Sequence, residues 1–159
     1  MKIAILKTPC LEDIIRLLNT FIAQSEIIPI CDNEQDSVSC DILIAHASVP
    51  NPPTVFCKTI ILNSDDNAIM PQIKLAQTQI ITYGFNSRAS VTVSGVSEDT
   101  LAICVRRGFT ALRTGQEILP QELLIKSPFG PFKEQDECQT EALLCASTVC
   151  LAAGITPSF

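Results

Sequence analysis

The chain has 159 residues and a mass of 17.3 kDa, enough for one domain with a sizeable core and too little for two of ordinary size. Apolar residues make up 47%, charged residues 18%, and mean hydropathy is +0.30, values that suit a well-buried fold and exclude disorder. Eleven Lys and Arg against 17 Asp and Glu leave a formal charge of −6, and with no tryptophan and one tyrosine the chain lacks both the positive footprint and the aromatic platform of a nucleic-acid binder.

Lys2 to Lys7 reads as a short buried strand, bounded by Thr8 and Pro9. Thr8 is the predicted N-cap and Pro9 the first helical residue, where a missing N–H costs nothing. Leu11, Ile14, Ile15, Leu18 and Ile22 then recur at helical spacing with Glu12, Asp13, Arg16 and Asn19 between them, which predicts an amphipathic helix near 10–24. Strands are expected near 27–31 and 41–45, separated by the polar stretch Asp32 to Ser39; the unbroken apolar run Ile42 to Ala45 suits a strand covered on both faces. Val49-Pro50-Asn51-Pro52-Pro53 is too rich in proline for helix or ladder and reads as a loop. Thr59 to Leu62 is a buried strand ending in Asn63-Ser64-Asp65-Asp66-Asn67, and a short helix across Ile69 to Ala76 leads to a strand near 79–83 closed by Gly84.

Beyond Gly84 the pattern changes. Val91 to Ser94 alternates, Ser97-Glu98-Asp99 reads as a turn, Leu101 to Val105 returns as a strand, and Glu122 to Ile125 is a third, so an antiparallel extension is expected from about 90 to 126. A last helix near 135–153 carries Ala142, Leu143, Ala146, Val149, Cys150 and Ala153 on one side and stops at Gly154. No internal repeat or low-complexity tract stands out. The expected fold class is α/β: a mainly parallel sheet flanked by helices, with an antiparallel hairpin extension. It forms one domain over 1–159, its parallel part about 1–85, its extension and closing helix about 86–155.

The opening residues hold too few apolar side chains before Lys7 for a signal-peptide core, and no run reaches the roughly 20 apolar residues of a membrane span; a cytoplasmic protein without membrane contact is expected. The eight cysteines (Cys10, Cys31, Cys40, Cys57, Cys104, Cys138, Cys145, Cys150) include no Cys-x-x-Cys pair, and most lie among aliphatic neighbours, which predicts reduced, buried thiols rather than a disulfide framework or a zinc site. His46, the one histidine, ends the 41–45 strand and reads as a hydrogen-bonded strand-end residue. Arg88, Arg106, Arg107 and Arg113 read as solvated charges on a wet face.

The first glycine of the chain is Gly84. A phosphate-cradling loop needs glycines where backbone N–H groups turn toward the ligand, so neither Gly-x-Gly-x-x-Gly nor Gly-x-x-x-x-Gly-Lys-Thr can be written across Leu6 to Cys10. Lys7-Thr8 matches only the last two residues of such a loop. An edge for a small anion or ligand is nonetheless drawn by Lys7, Thr8, His46, Asn63, Asp65 and Asp66, all at or after strand ends, where open α/β sheets collect functional groups. Asp65 and Asp66 have the chemistry to hold a magnesium-bound water, but adjacent acids after a strand more commonly act as turn and cap groups. No catalytic residue, metal site or cofactor is assigned.

Asn63 to Asp66 after one strand, Thr82-Tyr83-Gly84-Phe85 after the next, a hairpin over Ser90 to Val105, and Glu141 to Ile155 closing with Ala152-Ala153-Gly154-Ile155 follow one another in an order that resembles the central domain of the Mur ligases. These enzymes use ATP to add amino acids to UDP-N-acetylmuramoyl precursors of peptidoglycan. Lys2 to Phe21 fits the family's opening strand and helix, so the resemblance spans nearly the whole chain. It implies a Mur-type fold, while the departures imply lost catalysis. The glycine-rich ATP loop is reduced to Lys7 and Thr8, and the stretch that carries magnesium ligands and a carbamylated lysine is reduced to Ala47 to Cys57, with His46 and Lys58 beside it. The head of the last helix reads Asp136-Glu137-Cys138-Gln139-Thr140-Glu141-Ala142 in place of Gly-x-His-Asn-x-x-Asn, and the domains that bind the UDP sugar and the incoming amino acid have no counterpart. The expectation is a non-catalytic Mur-ligase-like binding or assembly module that forms a homo-oligomer or joins a partner protein. Alternatives are a subunit of an ATP-dependent amide ligase completed by another chain, and a small-ligand binding protein.

Overall fold

A computed structural model describes residues 1–6, 8–30, 37–45, 54–65, 78–132 and 137–157. Lys7, His46, Asp66 and the helix expected over Ile69 to Ala76 lie outside the described residues. The architecture is α/β, with a mostly parallel mixed sheet of eight strands in the order β12-β9-β8-β7-β6-β4-β1-β2. β1 (Lys2–Leu6) lies between β2 (Glu26–Ile30) and β4 (Ile42–Ala45), followed by β6 (Thr59–Asn63), β7 (Gln79–Gly84) and β8 (Val91–Val96), all parallel. β9 (Thr100–Val105) and β12 (Gln121–Lys126) continue the sheet antiparallel, with a bulge in β8 between Val93 and Gly95. The five strands expected in the parallel part and the three of the extension match the sequence reading to within a residue or two at their ends, but β8 pairs parallel with β7, so the antiparallel pairing begins only between β8 and β9.

Two short ribbons were not legible in the sequence. β10 (Phe109–Thr110) and β11 (Glu117–Ile118) form an antiparallel pair, and β3 (Ser37–Ser39) pairs parallel with β5 (Thr54–Phe56). At two or three residues each, they are shorter than any hydrophobic period can register. β3 and β5 run directly into β4 and β6, and both ladders keep one common register. The ribbon is thus the bent-back beginning of the β4/β6 pair. At the bend Asp41 Oδ1 accepts from Lys58 Nζ at 2.7 Å and Asp41 Oδ2 from the Lys2 amide at 2.9 Å, and the hydrogen bond from Lys58 holds the Asp41 carboxyl below the usual carboxylate range.

α1 (Leu11–Phe21) and α2 (Glu137–Ala153) pack on one face of the sheet and against each other. The alternation of the strands sorts the core: Ile3, Ile5, Ile44, Ile61, Ile81 and Tyr83 face the helices, while Ala4, Leu6, Leu43 and Ile60 face the β3/β5 ribbon through Val38 and Val55. α1 is three turns rather than the expected four; its last bond is Ile22 N to Leu18 O, and the chain turns at Gln24 with φ 68°. The cap is also two places off. Cys10, not Thr8, is the N-cap, and the Thr8 hydroxyl instead accepts the Cys10 amide in a local turn at 3.4 Å.

α2 departs further from expectation. A single small-residue face was predicted, whereas every residue from Ala142 to Ala153 is buried, including Ser147 and Thr148. A helix without a polar side must be enclosed on all sides. The sheet lies beneath it, α1 beside it, and Phe129 and Phe132 pack into the same core. Thr148 Oγ returns its hydrogen bond to Leu144 O at 2.8 Å, which keeps one buried hydroxyl satisfied within the helix. The helix ends as anticipated at Gly154, φ 81°, where Gly154 N bonds Leu151 O and Ile155 N bonds Cys150 O, the paired closure of a Schellman turn. Since Ala146 is fully buried, Ala146→Leu should overpack this layer and cost about 1–3 kcal/mol, read as a lower urea midpoint with an unchanged m-value.

Candidate functional site

The chain leaves β1 toward β2 on one side and later returns to β4 on the other, so the topological switch point lies at the carboxyl ends of β1 and β4. Lys7 and His46, the residues that follow those strands, are outside the described residues, as is Asp66. The other three candidates, Thr8, Asn63 and Asp65, join one continuous polar corner beside it.

That corner is built from four segments. Thr8 positions the Cys10 amide at the start of α1. The Cys10 sulfur lies 3.8 Å from Glu141 Oε2, and Glu141 Oε1 accepts from Asn63 Nδ2 at 2.7 Å. Asn63 Oδ1 in turn accepts the Asp65 amide at 2.8 Å, an Asx turn that ends β6. Asp65 then spends both carboxylate oxygens on the next strand's exit, accepting the amides of Phe85 and Asn86, the latter at 2.9 Å. Ser64 N bonds Tyr83 O at 2.7 Å, so the ends of β6 and β7 are stitched together twice.

This clasp explains Gly84. Its φ is +150°, and an added Cβ would lie 2.8 Å from both the Asp65 Cγ and the Ser64 Oγ, nearer still to the Asp65 Oδ2 that holds the Phe85 amide. Only glycine lets the carboxylate come this close. The tight turn also accounts for an unusual connection: β7 and β8 are parallel neighbours joined by six residues, because β8 starts beside the last two residues of β7 and the chain need not travel back its full length. Ser90 N to Thr82 Oγ1 at 2.9 Å and Arg88 N to Asn86 Oδ1 at 2.9 Å secure the reversal.

Behind the clasp the interior is polar but tightly closed. The Tyr83 hydroxyl is buried with no hydrogen-bond partner among the described residues, close to Asn63, Glu141 and Cys145. Burial pushes the phenol well above its ordinary value and pushes the Cys145 thiol up to about 12, so both stay neutral at any physiological pH. Ser64 Oγ and Ser147 Oγ are likewise buried without partners. Among the described residues no group of three or more His, Cys, Asp or Glu side chains is placed to hold a metal ion.

The cysteines require a correction. Reduced thiols were expected throughout, yet Cys10 and Cys138 form a disulfide that joins the start of α1 to the start of α2. The residues are 128 positions apart and their Cα atoms 5.6 Å apart, a pairing that spacing alone cannot announce. Cys40, Cys57, Cys104, Cys145 and Cys150 are free. Glu141, Cys10 and Cys138 were not on the predicted edge. A signal for Glu141 existed, since it is the last charged residue before a mostly apolar helix, and a carboxylate there must find a partner as the helix enters the core.

Asp65→Ala should cost about 1–2 kcal/mol through the loss of two charge-assisted hydrogen bonds. Gly84→Ala should cost about 2 kcal/mol or more. In the double variant the two penalties should add to less than their sum, because the atoms that the new methyl meets are gone; a double-mutant cycle in urea measures this coupling. Reduction of Cys10–Cys138 should lower stability by up to about 5 kcal/mol on the loop-entropy account, seen as a urea midpoint that falls with a phosphine reductant in the wild type and not in the Cys10→Ser/Cys138→Ser variant.

No protein-family model matches the chain, and no curated protein matches it.

Proposed function

We propose that this chain is a Mur-ligase-like module that binds or assembles and does not itself form an amide bond with ATP. The observation that carries this reading is the commitment of the corner's carboxylates. Asp65, one of the two residues chemically suited to hold a magnesium-bound water, has both oxygens accepting the Phe85 and Asn86 amides. Glu141, at the head of α2, has one oxygen on Asn63 and the other beside Cys10, the cap of α1. A helix N-terminus attracts anions, and a carboxylate beside it already occupies that field and repels a phosphate.

The Mur-like part of the proposal is supported by contact between the motifs that suggested it. The Asn63–Asp65 turn holds the residues that follow Tyr83-Gly84, and Asn63 reaches the alanine-rich helix through Glu141. These segments lie far apart in sequence, and their order was the basis of the resemblance. Ligase chemistry needs a phosphate cradle, a metal held by oxygens and two substrates in line; in this corner the side chains serve the turn and the helix head instead.

Association is supported by the free edge of the sheet. β12 is a terminal strand of six residues with Leu124 73% exposed, and no strand among the described residues pairs with its outer edge, which is a template for a further strand. Isothermal titration with magnesium-ATP is expected to show no binding tighter than millimolar, and micromolar affinity would overturn the non-catalytic reading. Sedimentation velocity is expected to show self-association, and a strictly monomeric species across concentration would remove its homo-oligomeric form.

A further inference from the structure

Away from the polar corner, on the opposite face of the sheet, two free cysteines meet at the bend between the β3/β5 ribbon and the main sheet. The ladder pairs Ser39 with Phe56 and resumes with Ile42 opposite Thr59, so Cys40 and Cys57 occupy matched positions between them. Cys40 N donates to Phe56 O at 3.0 Å, which keeps the two strands paired up to the cysteines. Alternation puts Cys40 on the side of Val38 and Cys57 on the side of Val55, both facing the same small core. Cys40 is buried in that core and Cys57 packs half-buried against it. Neighbouring strands run about 4.8 Å apart, within the roughly 4.4–6.8 Å that a disulfide spans between Cα atoms. One register step further, Asp41 and Lys58 form the ion pair that anchors the bend.

We infer that Cys40 and Cys57 form a redox-active dithiol that closes to a disulfide by exchange with a small-molecule disulfide. The neighbouring Cys57 side chain holds Cys40 below its ordinary value and Cys40 holds Cys57 above its own, while burial opposes the shift at Cys40. Cys40 is therefore the attacking sulfur. Its thiolate adds to one sulfur of the incoming disulfide, forming a mixed disulfide and expelling one small thiolate, which takes up a proton. Cys57 then loses its proton and attacks the Cys40 sulfur, forming the Cys40–Cys57 bond and expelling the second small thiolate. The protein loses two electrons and two protons, and one small disulfide becomes two thiols. The product ties β3 to β5 covalently at the point where both strands enter the sheet.

The other free cysteines serve as internal references. Cys104 is partly exposed and lacks this arrangement, whereas Cys145 and Cys150 are buried and burial pushes their thiols up to about 12. The full chain is incubated with oxidised glutathione, quenched with acid, alkylated, digested and mapped by mass spectrometry. The expected product is a cross-linked pair of peptides carrying Cys40 and Cys57, formed before Cys104 is modified. Cys57→Ser should instead accumulate a stable glutathione adduct on Cys40, because no resolving thiol remains. Absence of the cross-link in the wild type would overturn the inference without recourse to any variant. A wild type that accumulates the same persistent Cys40 adduct as Cys57→Ser would overturn it too.

Discussion

One carboxylate holds two strand exits together. Asp65 accepts the amides of Phe85 and Asn86, and that contact requires a residue without a β-carbon at position 84. From it follow the tight return from β7 to β8, the parallel pairing of those neighbours, and hence the attachment of the antiparallel extension to the parallel sheet. Without the clasp, a six-residue link between parallel neighbours would have nothing to hold its reversal, since such connections ordinarily need a dozen residues or more.

The same corner sets the position of α2. Asn63 both shapes the turn for Asp65 and meets Glu141, so the end of β6 and the head of the helix share one amide side chain. The Cys10–Cys138 disulfide adds a covalent tie between the starts of the two helices. α2 is thereby fixed at its polar end, where its apolar length enters the core. This anchoring matters because a helix buried on all sides has no amphipathic stripe to choose its rotation. Polar contacts at its head supply the orientation that hydrophobicity cannot.

The two faces of the sheet carry different chemistry. The helix face is sealed over the Ser147 hydroxyl and over Tyr83 and Cys145, which burial keeps neutral. Among the described residues the ribbon face is covered by the small side chains of Val38 and Val55 on two short strands, and the shared register sets Cys40 and Cys57 at matched positions against the same core. The aligned segments Val38-Ser39-Cys40-Asp41 and Val55-Phe56-Cys57-Lys58 repeat a valine, a cysteine and a charge of opposite sign. This short internal likeness reflects two strands that follow the same bend side by side.

The main strands were legible because residues such as Ile42 to Ala45 and Thr59 to Leu62 are buried on both faces and form unbroken apolar runs. α1 was legible from its 3.6-residue period and α2's end from Gly154, both properties of a dozen neighbouring residues or fewer. Thr8, Asn63 and Asp65 could be singled out because they follow strands. Their partners could not: Asn63 meets Glu141 across 78 positions, and Cys10 meets Cys138 across 128. Local periodicity records which face of a segment avoids water, and that much the amino-acid order determined by itself. Which distant carboxylate, amide or thiol lies within a bond's length depends on how the sheet stacks its strands, and only the tertiary structure decided that.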